Sequence, residues 1–204
     1  MVEIALQYTN RMPNKRKKLA VLVSGTGTLL ESFLNEGLQV DLVLADRPCR
    51  GIDEVAQKGN VPTELVLRTD FSKNFDREAY THLVLAALKK YEIDVIAMAG
   101  FNTVLAPSLF EVYGGKILNT HPALLPSFKG HYGVRDALAY GVKVTGCTVH
   151  IATPEVDEGK ILAQKAVEIF PNDTESSLHE RIKEVERSLY LETIRAFIAD
   201  QINF

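Results

Sequence analysis

An asparagine and a histidine stand two residues apart in Asn119-Thr120-His121-Pro122. On an extended chain, side chains at i and i+2 leave on the same side, so an amide donor and an imidazole can converge on one reacting atom. The pair suits an oxyanion: the amide hydrogen-bonds the negative oxygen of a tetrahedral intermediate, and a protonated imidazole donates to it or moves a proton as it collapses. The plainer reading of the same residues is a histidine satisfied by loop carbonyls. Further along, Thr153-Pro154-Glu155-Val156-Asp157-Glu158-Gly159 gathers three acids. One of them beside His121 would favour its charged form; an acidic surface turn is the alternative, since turns take Asp and Gly for backbone reasons. A third place is Ser24-Gly25-Thr26-Gly27-Thr28. Its glycines allow close approach of an anion, while backbone N–H groups and hydroxyls donate to it; a structural turn is an equally good account of so short a motif.

The elements needed to position these groups follow from hydrophobic periodicity. Lys18 to Ser24 is an apolar run ending in the glycine loop, and Leu29, Leu30, Phe33 and Leu34 then recur at helical spacing. Val40 to Ala45 and Val61 to Leu67 read as strands with a helix over Gly51 to Lys58 between them. Asp76 to Tyr91 is an amphipathic helix with Ala79, Tyr80, Leu83, Val84, Ala87, Leu88 and Tyr91 on one face. Ile93 to Ala99 is a strand buried on both sides. Lys116 to Leu118 is another, and it feeds directly into Asn119. Polar groups just beyond the carboxyl end of a parallel strand stand at the usual ligand crevice of an open α/β sheet. A helix over Val134 to Tyr140, an antiparallel pair over Val144 to Ala152 and Lys160 to Phe170, and a long closing helix complete the chain. That last helix is capped within Asn172-Asp173-Thr174 and faced by Leu178, Ile182, Val185 and Leu189. The fold class is therefore α/β, a Rossmann-like open, mostly parallel sheet with helices on both faces and antiparallel strands toward the C-terminus.

With 204 residues, 46% hydrophobic and 24% charged, the chain has the composition of a soluble globular domain. One domain over 18–204 is the economical division, preceded by a basic extension, 1–17, expected to be flexible. The formal charge of −3 gives no general attraction to nucleic acid or anionic membrane. No stretch nears the length of a membrane span, and the N-terminus lacks a secretory core. Two cysteines, Cys49 and Cys147, far apart, support neither a disulfide framework nor a zinc site. A reducing cytoplasm is the expected compartment. His82, His131, His150 and His179 share no ligand spacing, so no metal is expected; His150, on an apolar strand, is the best placed of them for a site. The dinucleotide fingerprint lacks its third glycine, where Leu30 stands, although Asp46 ends the second strand where a ribose-binding acid would sit. Lys183 and Glu186, one helical turn apart, read as a surface pair.

Together, Val-Leu-Val-Ser-Gly-Thr-Gly-Thr at 21–28, Ala99-Gly-Phe101, Leu118-Asn-Thr-His-Pro-Ala-Leu-Leu-Pro126 and Val156-Asp-Glu-Gly159 resemble the phosphoribosylglycinamide formyltransferase family over essentially residues 18–200. The resemblance implies transfer of a formyl group from 10-formyltetrahydrofolate, as co-substrate and without a metal, to the amine of glycinamide ribonucleotide. It implies Asn119, His121 and Asp157 as catalytic residues. The nucleotide would be held by Gly27, Thr28 and Leu29 and by Lys183, Glu184, Val185 and Glu186. The folate would be held by Arg77, by Asn102, Thr103, Val104 and Leu105, by Asn119, and by Thr153, Pro154, Glu155, Val156 and Asp157. A homodimer is also implied, and no nucleic acid. Two departures stand out: Asn102-Thr103 replaces a common Met-Arg, removing a positive charge, and Lys129-Gly130 replaces a common Pro-Gly. Other users of the same donor, a methionyl-tRNA formyltransferase or a formyltetrahydrofolate hydrolase, share the Asn, His and Asp pattern but are expected to need an additional domain. A non-catalytic nucleotide-binding module using only the glycine loop is the reading from outside enzymes.

Overall fold

The computed structural model describes residues 16–202. Seven strands form one sheet: β1 Leu19–Val23, β2 Leu42–Ala45, β3 Thr63–Leu65, β4 Val95–Met98, β5 Ile117–His121, β6 Val144–Ile151 and β7 Ile161–Glu168, in the order β3-β2-β1-β4-β5-β6-β7. The first five strands run parallel, and β6 and β7 are antiparallel additions. The helices are α1 Thr28–Asn35, α2 Arg77–Lys90, α3 Pro107–Tyr113, α4 Gly133–Tyr140 and α5 Glu175–Ile198; Gly51–Ala56 winds as a wider π-type turn.

Continuous apolar runs make strands that bury both faces, and β1 shows why. Leu19, Val21 and Val23 pack with Leu30 and Phe33 of α1 and with Tyr190 and Ile194 of α5, whereas Ala20 and Leu22 pack with Val84 and Leu88 of α2 and Leu109 of α3. The result is three layers, with α1 and α5 on one face of the sheet and α2 and α3 on the other. A third cluster, Val134, Cys147, Val167, Leu178 and Ile182, seats α4 and the start of α5 on the antiparallel strands. Thr174 caps α5 by accepting from the Ser177 N–H, and Ser177 Oγ returns the bond to the Thr174 N–H, a reciprocal cap at the end of the expected Asn-Asp-Thr segment.

The structure departs from the sequence reading in three places. The buried face of α2 is rotated: Thr81 and Leu85 are inside, while Ala79 and Leu83 face out. The helix α3 was not expected; Pro107 occupies its first turn, where a missing N–H costs nothing, rather than breaking the chain. The strand β5 continues to His121 instead of stopping at Leu118, because β6 supplies an antiparallel ladder, Asn119 opposite His150 and His121 opposite Thr148, beyond the last β4 pairing at Asn119. Residues 1–15 of the expected flexible extension lie outside the described residues. Arg16 and Lys17 form ion pairs with Asp41 and Asp200.

Candidate active site

The sheet order reverses between β1 and β4, since β1 is followed outward by β2 on one side and β4 by β5 on the other. Crossovers leaving to opposite faces open a crevice at the carboxyl ends of these strands. There lies a cavity of about 830 Å³, lined by the glycine loop after β1, by Ala99–Asn102 and Val104 after β4, by Asn119–Pro122, by Val156 and Asp157, and by His179, Lys183, Glu186 and Arg187 of α5. A smaller cavity of about 430 Å³, between the start of β1 and the end of α5, contains none of the candidate residues.

At the centre, the alternation of β5 acts as expected. Asn119 and His121 share one side, while Thr120 turns to the other and donates to Glu186 Oε1 at 3.0 Å. His121 is 4% exposed, and both ring nitrogens meet acceptors: Nε2 lies 2.7 Å from the Phe128 carbonyl and Nδ1 lies 3.2 Å from Asp157 Oδ2. Both ring nitrogens thus face acceptors, which fixes the orientation of the ring. Asp157 Oδ2 also accepts from the Gly130 N–H at 2.8 Å, and Oδ1 lies 3.5 Å from His150 Nε2. Burial pushes the Asp157 carboxyl up, but hydrogen bonds from His150 and Gly130 and the charges of both histidines outweigh it and hold the carboxyl below its ordinary value.

The sequence left His150 as the best of the unassigned histidines, and the β5–β6 register makes it a neighbour of the site. Its Nδ1 meets the Ile151 carbonyl at 2.9 Å, which fixes a proton there. Its Nε2 lies 3.3 Å from Asn119 Nδ2 and 3.5 Å from Asp157 Oδ1, so the ring stands between the asparagine amide and the carboxylate. Asn119 itself lines the cavity.

The glycine loop forms the opposite wall. Gly27 precedes α1 with φ +70°, and a Cβ on it would lie 2.6 Å from Gly51 Cα, so both conformation and space require glycine. Ser24 does not serve this wall, since its hydroxyl accepts from the Asn102 N–H at 2.8 Å. Arg50, which sequence reasoning missed, braces the loop by donating to the Thr26 carbonyl at 3.0 Å while paired with Glu31. Across the cavity, burial raises the Glu186 carboxyl above its ordinary value against the opposing effects of Thr120, Lys183 and Arg187.

Of the remaining expected site residues, Asn102, Val104 and Val156 line the cavity together with Gly27, Thr28, Leu29, Lys183 and Glu186. Thr103 turns inward and donates to Asp46 Oδ2 at 2.7 Å, and Leu105 joins the core. Asp46, itself fully buried and paired with Arg47, is thereby closed to a ribose. Thr153, Pro154 and Glu155 flank the cavity without lining it, Glu184 is exposed and Val185 packs on the cluster around Cys147. Arg77 begins α2, exposed and outside the cavity lining. Among the described residues no cluster of three or more His, Cys, Asp or Glu is arranged to hold a metal, and no helix is long and apolar enough to cross a membrane.

An amide, an imidazole held at both nitrogens and a buried carboxylate thus meet at the switch point of an open α/β sheet, a set of groups found in group-transfer enzymes. The chain belongs to the formyl transferase family, which matches residues 17–194. It is 43% identical to a phosphoribosylglycinamide formyltransferase of Mycobacterium tuberculosis over 189 residues, covering 90% of this chain and 86% of that protein. It is 36% identical to the human trifunctional purine biosynthetic protein adenosine-3, over 86% of this chain and 18% of that much longer one. Among solved structures, glycinamide ribonucleotide transformylase 1 from Symbiobacterium toebii superposes with a TM-score of 0.86 at 35% identity, covering 94% and 92% of the two chains.

Proposed function

We propose that this protein transfers the formyl group of 10-formyltetrahydrofolate to the amine of glycinamide ribonucleotide, giving formylglycinamide ribonucleotide and tetrahydrofolate. The observation that carries the reading is the convergence of Asn119, His121 and Asp157 at the strand ends in a chain of the formyl transferase family. The glycine loop takes the nucleotide's phosphate and Glu186 its glycinamide or ribose end, while Asn102, Val104 and Val156 flank the pterin; two ligands held across one crevice bring the amine within reach of the formyl carbon.

The neutral amine adds to the formyl carbon and the carbonyl electron pair moves to oxygen. The Asn119 amide donates to that oxygen, and the His121 cation, fixed between Phe128 and Asp157, lowers its energy. Collapse breaks the bond from carbon to the folate's 10-nitrogen. The proton lost by the attacking nitrogen passes to that leaving nitrogen, with Asp157 as the acceptor group facing the path. His150, beside the Asn119 amide and itself anchored on the Ile151 carbonyl, holds that amide in place.

The test is to incubate the purified protein with 10-formyltetrahydrofolate, with and without glycinamide ribonucleotide, and follow folate deformylation alongside formylated nucleotide by mass. Formylated product that appears only with the nucleotide supports the proposal. Deformylation without the acceptor indicates a hydrolase, and no folate turnover in either arm overturns formyl transfer altogether.

A further inference from the structure

The reacting pair is held by two loops rather than by the sheet alone. After β5, the turn Pro126-Ser-Phe-Lys-Gly130 places the Phe128 carbonyl on His121 Nε2 and the Gly130 N–H on Asp157 Oδ2. One short segment thus grips both members of the pair, two residues apart. Its backbone is unusual: Phe128 has φ +56° and Gly130 φ +88°, and Asp157 in the facing loop has φ +57°. Side-chain-bearing residues enter that left-handed region reluctantly and stay there only when their surroundings hold them. The inner side of the turn is sealed by α4, since a Cβ on Gly133 would lie 3.0 Å from both His121 Nε2 and the Phe128 carbonyl oxygen. On the outer side, Lys129, between the two gripping residues, reaches across to Glu158, the neighbour of Asp157, with Nζ 2.7 Å from Oε1.

We propose that Lys129 is a positioning residue for the transfer: its ion pair with Glu158 straps the 126–130 turn to the 156–159 loop and so holds His121 and Asp157 in register. The inference rests on the assignment of those two as the reacting pair. The strap's side chains are 33% and 53% exposed, and an ion pair so open to solvent adds little to global stability. Its effect lies elsewhere. Removing it frees two loops in strained conformations to relax by a fraction of an ångström, and displacements of that size at reacting groups are felt in turnover rather than in binding.

The test uses the full-length protein. K129A is expected to lower kcat about 3- to 10-fold with KM for both substrates within about twofold of wild type and the melting temperature nearly unchanged. Raising salt from about 20 mM to about 0.5 M should bring the wild-type kcat down toward that of K129A while leaving K129A itself unaffected, because exposed pairs are screened. The single variant K129E should fall further, and the exchange K129E with E158K should restore most of the loss. A K129A kcat equal to wild type at low salt, or a double exchange no better than K129E, overturns the strap. H121A and D157N are measured alongside: if they keep full turnover, the assignment of the pair fails, whereas if they abolish turnover and K129A is silent, the strap alone fails.

Discussion

His121 Nδ1 faces Asp157 Oδ2 at 3.2 Å, while the opposite edge of the same ring is held by the Phe128 carbonyl. A ring fixed at both nitrogens can neither flip nor drift, which keeps it in place on the strand that also carries Asn119. H121A and D157N are therefore expected to lower kcat by about 10²- to 10⁴-fold with much smaller changes in KM, as measured by steady-state formyl transfer. An activity within tenfold of wild type in both would sink the assignment.

Asn119 lines the cavity with its amide beside His150. N119A should lose about 10²- to 10³-fold in kcat, the usual loss for an oxyanion donor. H150A should produce a smaller loss in the same parameter, because it frees the amide to turn without removing it. Pre-steady-state rates of the chemical step in both variants check this ranking.

Asp157 and Glu186 carry carboxyls shifted in opposite directions, and this has opposite consequences for stability. Lowered in the folded state, Asp157 contributes stability present above its ordinary value of 3.8 and lost as pH falls through its folded value. The raised carboxyl of Glu186 contributes stability present below 4.5 and lost as pH rises through its folded value. In melting curves against pH, E186Q should gain on wild type as pH rises above 4.5, by about 2–4 °C for each kcal/mol recovered, while D157N should lose ground as pH rises toward 3.8 and keep a constant offset above it. The same E186Q change should raise KM for the nucleotide and leave KM for the folate unaltered.

G27A places a side chain in a left-handed residue and against the Gly51 backbone. The expected cost is at least about 1–2 kcal/mol in stability, from backbone conformation alone. Nucleotide affinity should fall more steeply than folate affinity, measured by titration calorimetry of each ligand. A G27A protein with wild-type melting and binding would show that the loop relaxes freely.

Much of this architecture was legible in the residues. Continuous apolar runs marked β1, β2 and β4, and the Asn-Asp-Thr segment marked the start of α5, because burial on both faces and capping leave local signatures. What escaped depended on partners distant in sequence. The extension of β5 to His121 is granted by β6, and the same register brings His150 opposite Asn119, a relation that no spacing within either segment reveals. Arg50 gave no local sign of bracing the glycine loop. In the segment 102–105 the resemblance named four consecutive residues, yet an irregular chain turns alternate side chains apart: Asn102 and Val104 reach the cavity, and Thr103 is drawn inward by Asp46. The face of α2 was misjudged because alanine and leucine occur all around that helix, so periodicity alone did not single out Thr81.

Tyr190 adds a consequence of another kind. Fully buried beneath the sheet and edge-on to Phe33, it donates toward the carbonyls of Met98, 3.1 Å away, and Leu118, 2.8 Å away, where β4 and β5 run out into the crevice. Glu186 lies one turn earlier on the same helix. The rivet that fastens α5 to the interior and the carboxylate that lines the cavity are thus parts of a single rod. Under the proposed function, acceptor recognition is therefore expected to be lost together with the packing of α5 and not independently of it.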